Sequence, residues 1–356
     1  MDTSASSPCL RDARRAVDRL RASAERAAAA SDEEAQRSGG DAGEAVYAAD
    51  TARRAAWAAQ HAAAALEALP VDSDDAAAPL PRRAPLPVRR VHASKLSLSS
   101  FRREVEARGE PVVLEGLGAH LTEDGAAGAE LGWLRRHAAT KTVAVSRAHA
   151  HTRCELRAAD YELCTVGELL DAVDAGEADG SYLYDCSMPL KLPSLLQAVR
   201  VPRFFAHDFL QRTMRLHAFS ASWPSLFVAA PGTQSSLHVD QWQGHFWMAM
   251  VRGTKRWTLF AADDVHLLSP DWARNTLDPA MPPLDRLDAE PSEHPLACLA
   301  RRWEVDLGPG EVLYVPGGCP HHVRNLDEVR TRAAERRAQQ AAHTPARGVC
   351  RRAALK

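Results

Sequence analysis

The sequence predicts an α+β domain built around an antiparallel β-barrel or β-sandwich, preceded by an alanine-rich helical extension. In the central part of the chain, helical patterns come first, and short β-type runs separated by glycine, proline and threonine follow them. The composition also changes along the chain, from alanine-rich to rich in proline and aspartate. We therefore divide the chain into an extension (1–69), a linker (70–91), a folded domain (92–328) and a basic helical or disordered tail (329–356).

The extension contains two helix-like blocks separated by Gly39-Gly40. In the first block, Leu10, Ala13 and Val17 recur at helical spacing. Alanine offers little area to bury, so the predicted helices are only weakly amphipathic. Two interpretations stay open from the sequence: a helical hairpin, or a marginal or disordered extension.

Within the domain, each element is predicted from its local pattern. Helices are predicted at 97–107, 131–138, 165–175 and 192–199, with Thr165 as the N-cap of the third. A proline-rich and acidic excursion covers 263–302. Strands are predicted at 110–117, 142–146, 181–185, 225–229, 237–240, 246–251, 256–260, 303–307 and 312–315.

The composition indicates an intracellular protein, cytoplasmic or nuclear. The formal net charge of −2 points to neither a nucleic acid nor a membrane as partner, and the arginine-rich tail is interpreted as a solvated segment. Seven cysteines without a C-x-x-C pair argue against a disulfide framework or a cysteine zinc site. The chain start lacks a signal-peptide pattern, and no run of about 18 apolar residues occurs, so we expect no transmembrane helix.

A metal site is predicted around His238 and Asp240. Residues two apart on a strand point to the same face, so this imidazole and this carboxylate project together. They are two members of the two-histidine, one-carboxylate set that binds non-haem iron and leaves coordination positions open. The third ligand would be His321 or His322, which follow a proline–glycine–glycine turn, and only one of the two can face inward on a strand. The alternative is a polar pair without metal.

Lys255 is the second candidate site residue. It follows Gly253 and begins an alternating run that resembles a strand. A lysine on the inward face is costly to bury unless it meets an anion, and a bound dicarboxylate would supply one. The alternative is an outward, solvated lysine.

Several motifs in a fixed order resemble those of Jumonji-C domain oxygenases, over about residues 91–328. They are closest to the branch that contains the phosphatidylserine-receptor-like arginine demethylase/lysyl hydroxylase and the asparaginyl hydroxylase of the hypoxia pathway. The motifs are Tyr182-Leu183-Tyr184-Asp185, Val201-Pro202-Arg203-Phe204-Phe205 with Asp208, Gly232-Thr233, Leu237-His238-Val239-Asp240, Gly253-Thr254-Lys255-Arg256-Trp257, and Pro309-Gly310-Glu311 through Asn325-Leu326.

This resemblance implies a double-stranded β-helix of the cupin or jelly-roll type that holds Fe(II). By the resemblance, His238, Asp240 and His321 match the metal ligands, and the position of His321 after Pro316 favours it over His322. The implied activity is 2-oxoglutarate-dependent hydroxylation of a protein side chain, or demethylation by hydroxylation. A protein substrate is therefore the expected partner.

The same resemblance implies three residues for the cosubstrate. Lys255 matches the lysine that pairs with the distal carboxylate of 2-oxoglutarate. Tyr182 matches a tyrosine that hydrogen-bonds the same carboxylate, and Ser235 lies where the family often has a threonine with a similar role.

Two departures from the family pattern leave alternatives open. Met248 stands where this branch commonly has an asparagine, so that polar contact is lost or supplied by another residue. After Asp327 the chain becomes basic and helix-like instead of continuing into apolar strands. One alternative is therefore a non-catalytic binding module with an incomplete β-helix. Another is a metal-binding cupin without 2-oxoglutarate, in which Lys255 has no role.

Aromatic residues surround the metal-binding motif: Trp223, Trp242, Phe246 and Trp247. We expect most of them to belong to the barrel core. Trp242 lies two residues after Asp240, so it is the one that would face a substrate entrance.

Overall fold

The structure is a computed structural model. Trp242, the tail at 329–356 and most of the predicted linker lie outside the residues that it describes. No helix among the described residues is long and apolar enough to cross a membrane. The described residues are 8–37, 42–69, 82–146, 150–151, 161–178, 180–208, 222–240, 244–272 and 279–326.

Helices occupy the start of the chain and separate strands further on. The helices, numbered along the chain, are α1 (Pro8–Arg37), α2 (Ala42–Glu67), α3 (Leu98–Glu104), α4 (Gly132–Ala138), α5 (Val166–Ala175), α6 (Met188–Lys191) and α7 (Leu284–Ala289). The strands are β1 (Leu86–Pro87), β2 (Arg89–His92), β3 (Val112–Glu115), β4 (Thr142–Ser146), β5 (Ala150–His151), β6 (Tyr161–Thr165), β7 (Tyr182–Ser187), β8 (Ser225–Ala229), β9 (Gln234–His238), β10 (Phe246–Ala249), β11 (Thr254–Phe260), β12 (Arg302–Leu307), β13 (Val312–Val315) and β14 (His321–Leu326).

The extension is a helical hairpin, which is one of the two interpretations that the sequence left open, and it packs against the domain. The small alanines allow close approach of α1 and α2 to each other and to the strand that carries His238. Trp272 makes a second contact between the domain and the hairpin, where it packs against Ala27 and Ala55. One cluster joins the hairpin to the domain: Ala13, Val17, Leu20, Ala59 and Ala62 from the hairpin, with Leu237, Phe260, Leu267 and Leu268 from the domain.

Two sheets face each other in a jelly-roll, which confirms the predicted α+β fold class. The larger sheet has the strand order β1-β12-β11-β14-β9-β5, and the smaller one the order β10-β13-β3-β2. Trp257 and Val323 from the larger sheet share a core cluster with Val113, Leu313 and Val315 from the smaller one. A third sheet, β6-β4-β7-β8, continues the fold on one side. Because β14 lies between β11 and β9, the last described strand is internal to its sheet and leaves no open edge there.

Several predicted boundaries are wrong, and three of them affect the domain limits or the surroundings of the site. The linker does not extend to residue 91, because β1 and β2 pair with β12 and β3 and so belong to the sheets. The predicted strand at 237–240 ends at His238, since the chain leaves the ladder there. The predicted helix at 192–199 is a 3₁₀ segment at Pro193–Gln197, with a proline at its start.

Local chemistry explains the short helices. Ser97 and Ser100 form a capping box at the start of α3. Thr165 caps α5, as predicted: its hydroxyl accepts from the amide of Glu168, and the Glu168 carboxylate accepts from the amide of Thr165. Gly176 ends the same helix in the left-handed conformation, where a side chain would be strained.

Candidate metal centre and dicarboxylate pocket

The inward face of the larger sheet is set by the pairing of β11 with β14. His321 lies opposite Leu259, Val323 opposite Trp257, and Asn325 opposite Lys255. Side chains on one strand alternate between faces, so these paired residues share one face. All of them are buried, and this face lines the cavity between the sheets.

His322 points the opposite way. Its partner on β11 is Thr258, and the neighbouring pair on that face is Arg256 with Arg324. Arg256 also forms a two-point ion pair with Asp306, at 2.7 and 2.8 Å, on the outer surface. The pairing therefore turns His321 toward the cavity and the half-buried His322 to the opposite face of the sheet, a choice that strand alternation alone left open and in which the resemblance favours His321.

A bulge brings Ser235 and His238 to the same face. The pairing of β14 with β9 joins His321 to His238 and Val323 to Ser235, so two steps on β14 match three on β9. The extra residue on β9 changes the alternation of that strand. As a result Ser235, three residues before His238, faces the same cavity; it is buried, 2% exposed.

His238, Asp240 and His321 converge on one point. The Nε2 atoms of the two histidines lie 3.6 and 3.8 Å from the same Oδ1 of Asp240, and the imidazole ring centres are 4.2 Å apart. One ligand atom from each residue lies within 4.8 Å of the others. These separations exceed hydrogen-bond lengths, so the three groups face a common space and do not bond one another directly.

Hydrogen bonds from the Nδ1 atoms orient both imidazole rings for metal binding. His238 Nδ1 lies 2.7 Å from the Ser236 carbonyl, and His321 Nδ1 lies 3.0 Å from the Cys319 carbonyl. A carbonyl only accepts, so each Nδ1 carries the proton and each Nε2 presents its lone pair. This arrangement is the usual second interaction of metal-binding histidines. Burial, followed by the neighbouring His238, lowers the pKa of His321 to about 4, which keeps it neutral at pH 7.

Lys255 is buried at the other end of the same face. Its side chain is 6% exposed, and its Nζ donates to Asn325 Oδ1 at 2.6 Å. The Tyr182 ring centre lies 5.3 Å from Nζ. Burial lowers the pKa of Lys255 to about 8. Burial also raises the pKa of the Tyr182 phenol, so this group remains a neutral hydrogen-bonding partner. The three residues predicted for the cosubstrate, Lys255, Tyr182 and Ser235, thus line one cavity.

Sequence reasoning on individual residues missed the polar group beside Lys255. Asn325 is 7% exposed and is held by Thr233, which is fully buried. Met248, the position of the missing family asparagine, lines the cavity and packs against the core. The signal for Asn325 was its position four residues after His321, an even spacing that keeps both on one face of a strand.

The aromatic residues divide between core and cavity wall. Phe246 stands beside the predicted metal ligand, with its ring centre 4.9 Å from that of His321. Trp257 lies behind them, 5.9 Å from His321, and is almost fully buried. Trp247 stacks on Phe205 at 5.3 Å and belongs to a core cluster, although its edge also lines the cavity. Water therefore meets an apolar wall on the Phe246 side of the centre.

A family model for the cupin-like domain matches residues 98–334. The chain belongs to the cupin-like domain family. This confirms the predicted resemblance to Jumonji-C proteins at the level of the family, and the matching region contains strands β3 to β14 and both ends of the cavity described above.

Similar proteins include two arginine-specific demethylases of Arabidopsis thaliana. JMJ22 is 30% identical over 163 residues, which cover 41% of this chain and 29% of that protein. JMJ20 is 21% identical over 266 residues, covering 68% of this chain and 55% of that protein. HSPB1-associated protein 1 of Rattus norvegicus is 30% identical over 105 residues, 30% of this chain and 22% of that protein. The chain thus spans about half or less of the length of these relatives.

Proposed function

We propose that this protein is an Fe(II)- and 2-oxoglutarate-dependent oxygenase that hydroxylates a protein side chain, with demethylation as the result where the hydroxylated carbon is an N-methyl group. One observation carries the proposal: the ligand atoms of His238, His321 and Asp240, which follows the end of β9, converge in the same cavity that the buried Lys255 lines. The partners of Lys255 and Leu259 on β14 are Asn325 and His321, four residues apart, or roughly 13 Å along the strand. A five-carbon dicarboxylate has room to lie between them.

The donor set suits ferrous iron. Two neutral imidazoles and one carboxylate on one side leave further positions open, and the Nδ1 hydrogen bonds fix both rings before an ion binds. When bound, iron and 2-oxoglutarate would supply the oxidising chemistry that inserts oxygen into a C–H bond. The protein's own contribution is positional: His238, Asp240 and His321 would hold the ion, and Lys255 would receive the distal carboxylate.

The cavity wall controls what reaches this centre. Phe246 and Trp257 place apolar surface beside His321, which limits water there and favours an organic side chain from the open side. The names of the two similar arginine-specific demethylases support a protein substrate. Since the chain covers only part of those proteins, the substrate is part of the proposal.

A buried lysine separates this proposal from its alternatives. A binding module or a metal-only cupin has no need for an ammonium in the cavity, where burial lowers its pKa to about 8 and therefore costs stability. A dicarboxylate ligand would pair with the ammonium and so offset that cost. The internal position of β14 also removes the main argument for an incomplete β-helix among the described strands.

The adjacent histidines provide a matched test. The full chain is purified with Fe(II) and ascorbate, and conversion of 2-oxoglutarate to succinate is followed for the wild type, His321→Ala and His322→Ala. Because changes behind a ligand already weaken metal binding by about 10–100-fold, loss of His321 is expected to exceed that and to abolish turnover. His322 lies half-buried on the face of the sheet away from the cavity, so His322→Ala is expected to keep turnover.

Two results would contradict the proposal. Absence of turnover in the wild type, together with no 2-oxoglutarate binding by calorimetry, would remove the oxygenase assignment. Equal loss of turnover in both alanine variants would contradict the assignment of His321, rather than His322, as the ligand.

A further inference from the structure

A buried chain of hydrogen bonds lies behind Lys255. Lys255 Nζ donates to Asn325 Oδ1 at 2.6 Å. The Asn325 amide nitrogen in turn donates to Thr233, to Oγ1 at 2.8 Å and to the carbonyl at 3.2 Å. Thr233 Oγ1 donates to the carbonyl of Ala230 at 2.7 Å. An ammonium only donates and a carbonyl only accepts, so the two ends of this chain leave a single orientation for the Asn325 amide.

That orientation gives the ammonium a neutral acceptor. In the part of the chain that the structure describes, Lys255 forms no ion pair, and burial is the whole cause of its lowered pKa. The face of Tyr182 is its other neighbour, 5.3 Å from Nζ. Buried lysines are rarely left without a counter-ion. Here the hydrogen-bond partner of Nζ is the neutral amide of Asn325. An aspartate of the same shape would have supplied a negative charge at this position.

We infer that Asn325 is a positioning residue: its neutral amide aims the Lys255 ammonium into the cavity and leaves the positive charge for an incoming carboxylate. The inference rests on the proposed function, because it concerns the same dicarboxylate. A carboxylate at position 325 would pair with Lys255 internally and would compete with the ligand. An alanine at position 325 would remove the hydrogen bond that positions Lys255 but would not add a competing charge.

The test measures affinity and not turnover. Calorimetry gives the dissociation constant of 2-oxoglutarate for the full chain with Fe(II) under anaerobic conditions, for the wild type, Asn325→Asp and Asn325→Ala. Close charge pairs couple strongly in buried sites, so Asn325→Asp is expected to weaken binding by about tenfold or more, and by clearly more than Asn325→Ala.

Gln234→Glu is the matched control. It makes the same amide-to-carboxylate change on the adjacent strand β9, but Gln234 pairs with the exposed Arg324 on the outer face. Its affinity for 2-oxoglutarate is expected to stay within about twofold of the wild type, because position 234 is partly exposed on the face away from Lys255, beside the arginine, where solvent screens a charge. Unfolding midpoints of all the proteins show whether a variant has lost its fold; Asn325→Ala tests the position if Asn325→Asp does not fold.

The outcomes are distinct. If the wild type binds 2-oxoglutarate and Asn325→Asp binds it within about threefold, or no worse than Asn325→Ala, the inference is wrong and the proposed function stands. If Asn325→Asp does not fold and Asn325→Ala binds as tightly as the wild type, the positioning role is again refuted. If the wild type itself does not bind 2-oxoglutarate, the proposed function fails and takes the inference with it.

Discussion

The burial of Lys255 makes a quantitative prediction about stability. Its pKa of about 8 in the folded protein compares with an ordinary lysine value of about 10.4. Each pKa unit corresponds to about 1.4 kcal/mol, so holding the charged ammonium in the ligand-free cavity costs on the order of 3 kcal/mol at pH 7. Lys255→Met removes this charge and keeps a long unbranched side chain.

The substitution also has a cost. Asn325 Oδ1 loses the hydrogen bond from the Lys255 ammonium, and the loss of such a buried bond costs about 1–3 kcal/mol. The two effects together predict that Lys255→Met equals the wild type at pH 7 or exceeds it by up to about 2 kcal/mol in free energy of unfolding. A lysine-to-methionine change on the surface would leave stability almost unchanged.

The stability of Lys255→Met relative to the wild type is predicted to fall as the pH rises. Between pH 8 and about pH 10.4, the unfolded chain keeps a proton on Lys255 that the folded protein has released, so the wild type gains stability with rising pH relative to Lys255→Met. Below pH 8 the lysine is charged in both states and the whole penalty remains. Near pH 10 most of the penalty has gone, and the lost hydrogen bond makes the variant the less stable protein.

Urea unfolding followed by tryptophan fluorescence at pH 7 and pH 10 measures this difference. Comparing the variant with the wild type at each pH cancels the titration of all other groups. A stability difference that is the same at both pH values would refute the reasoning, because it would mean that the lysine does not change its protonation on unfolding. A variant that is less stable at pH 7 than at pH 10, relative to the wild type, would refute it as well.

Two further predictions concern the frame around the site. Ala62→Leu overfills the contact between the hairpin and the domain, so chemical denaturation should show a loss of about 1–3 kcal/mol in the free energy of unfolding. Ala56→Leu, on the exposed side of the same helix, should change it by less than about 0.5 kcal/mol. Equal effects would mean that the hairpin does not pack against the domain at Ala62. Gly116→Ala places a Cβ against the ring of His92, so it should lower the unfolding midpoint more than Gly109→Ala, which has a similar positive φ and open space around it. Equal losses would show that only the backbone conformation matters.

Local patterns predicted most of the elements. Helical spacing from Leu10 to Val17 indicated α1, and Thr165 with Glu168 three residues later carried a capping signal that the structure reproduces. Alternation indicated β11 and β12 to within two residues. Boundaries failed where pairing partners decide them. β1 contains a proline and β2 two arginines, as is typical of a linker, and they are strands because β12 and β3 lie beside them.

The sequence by itself determined the kinds of chemical group present: two histidines and an aspartate in motifs that resemble a known family, and a lysine in an alternating run. The tertiary structure decided which groups meet. It placed His321 inside and His322 outside through the register with β11, moved Ser235 to the face of His238 through a bulge, and set Asn325 against Lys255. Register between strands distant in sequence depends on the packing of the whole sheet, and no local pattern contains that information.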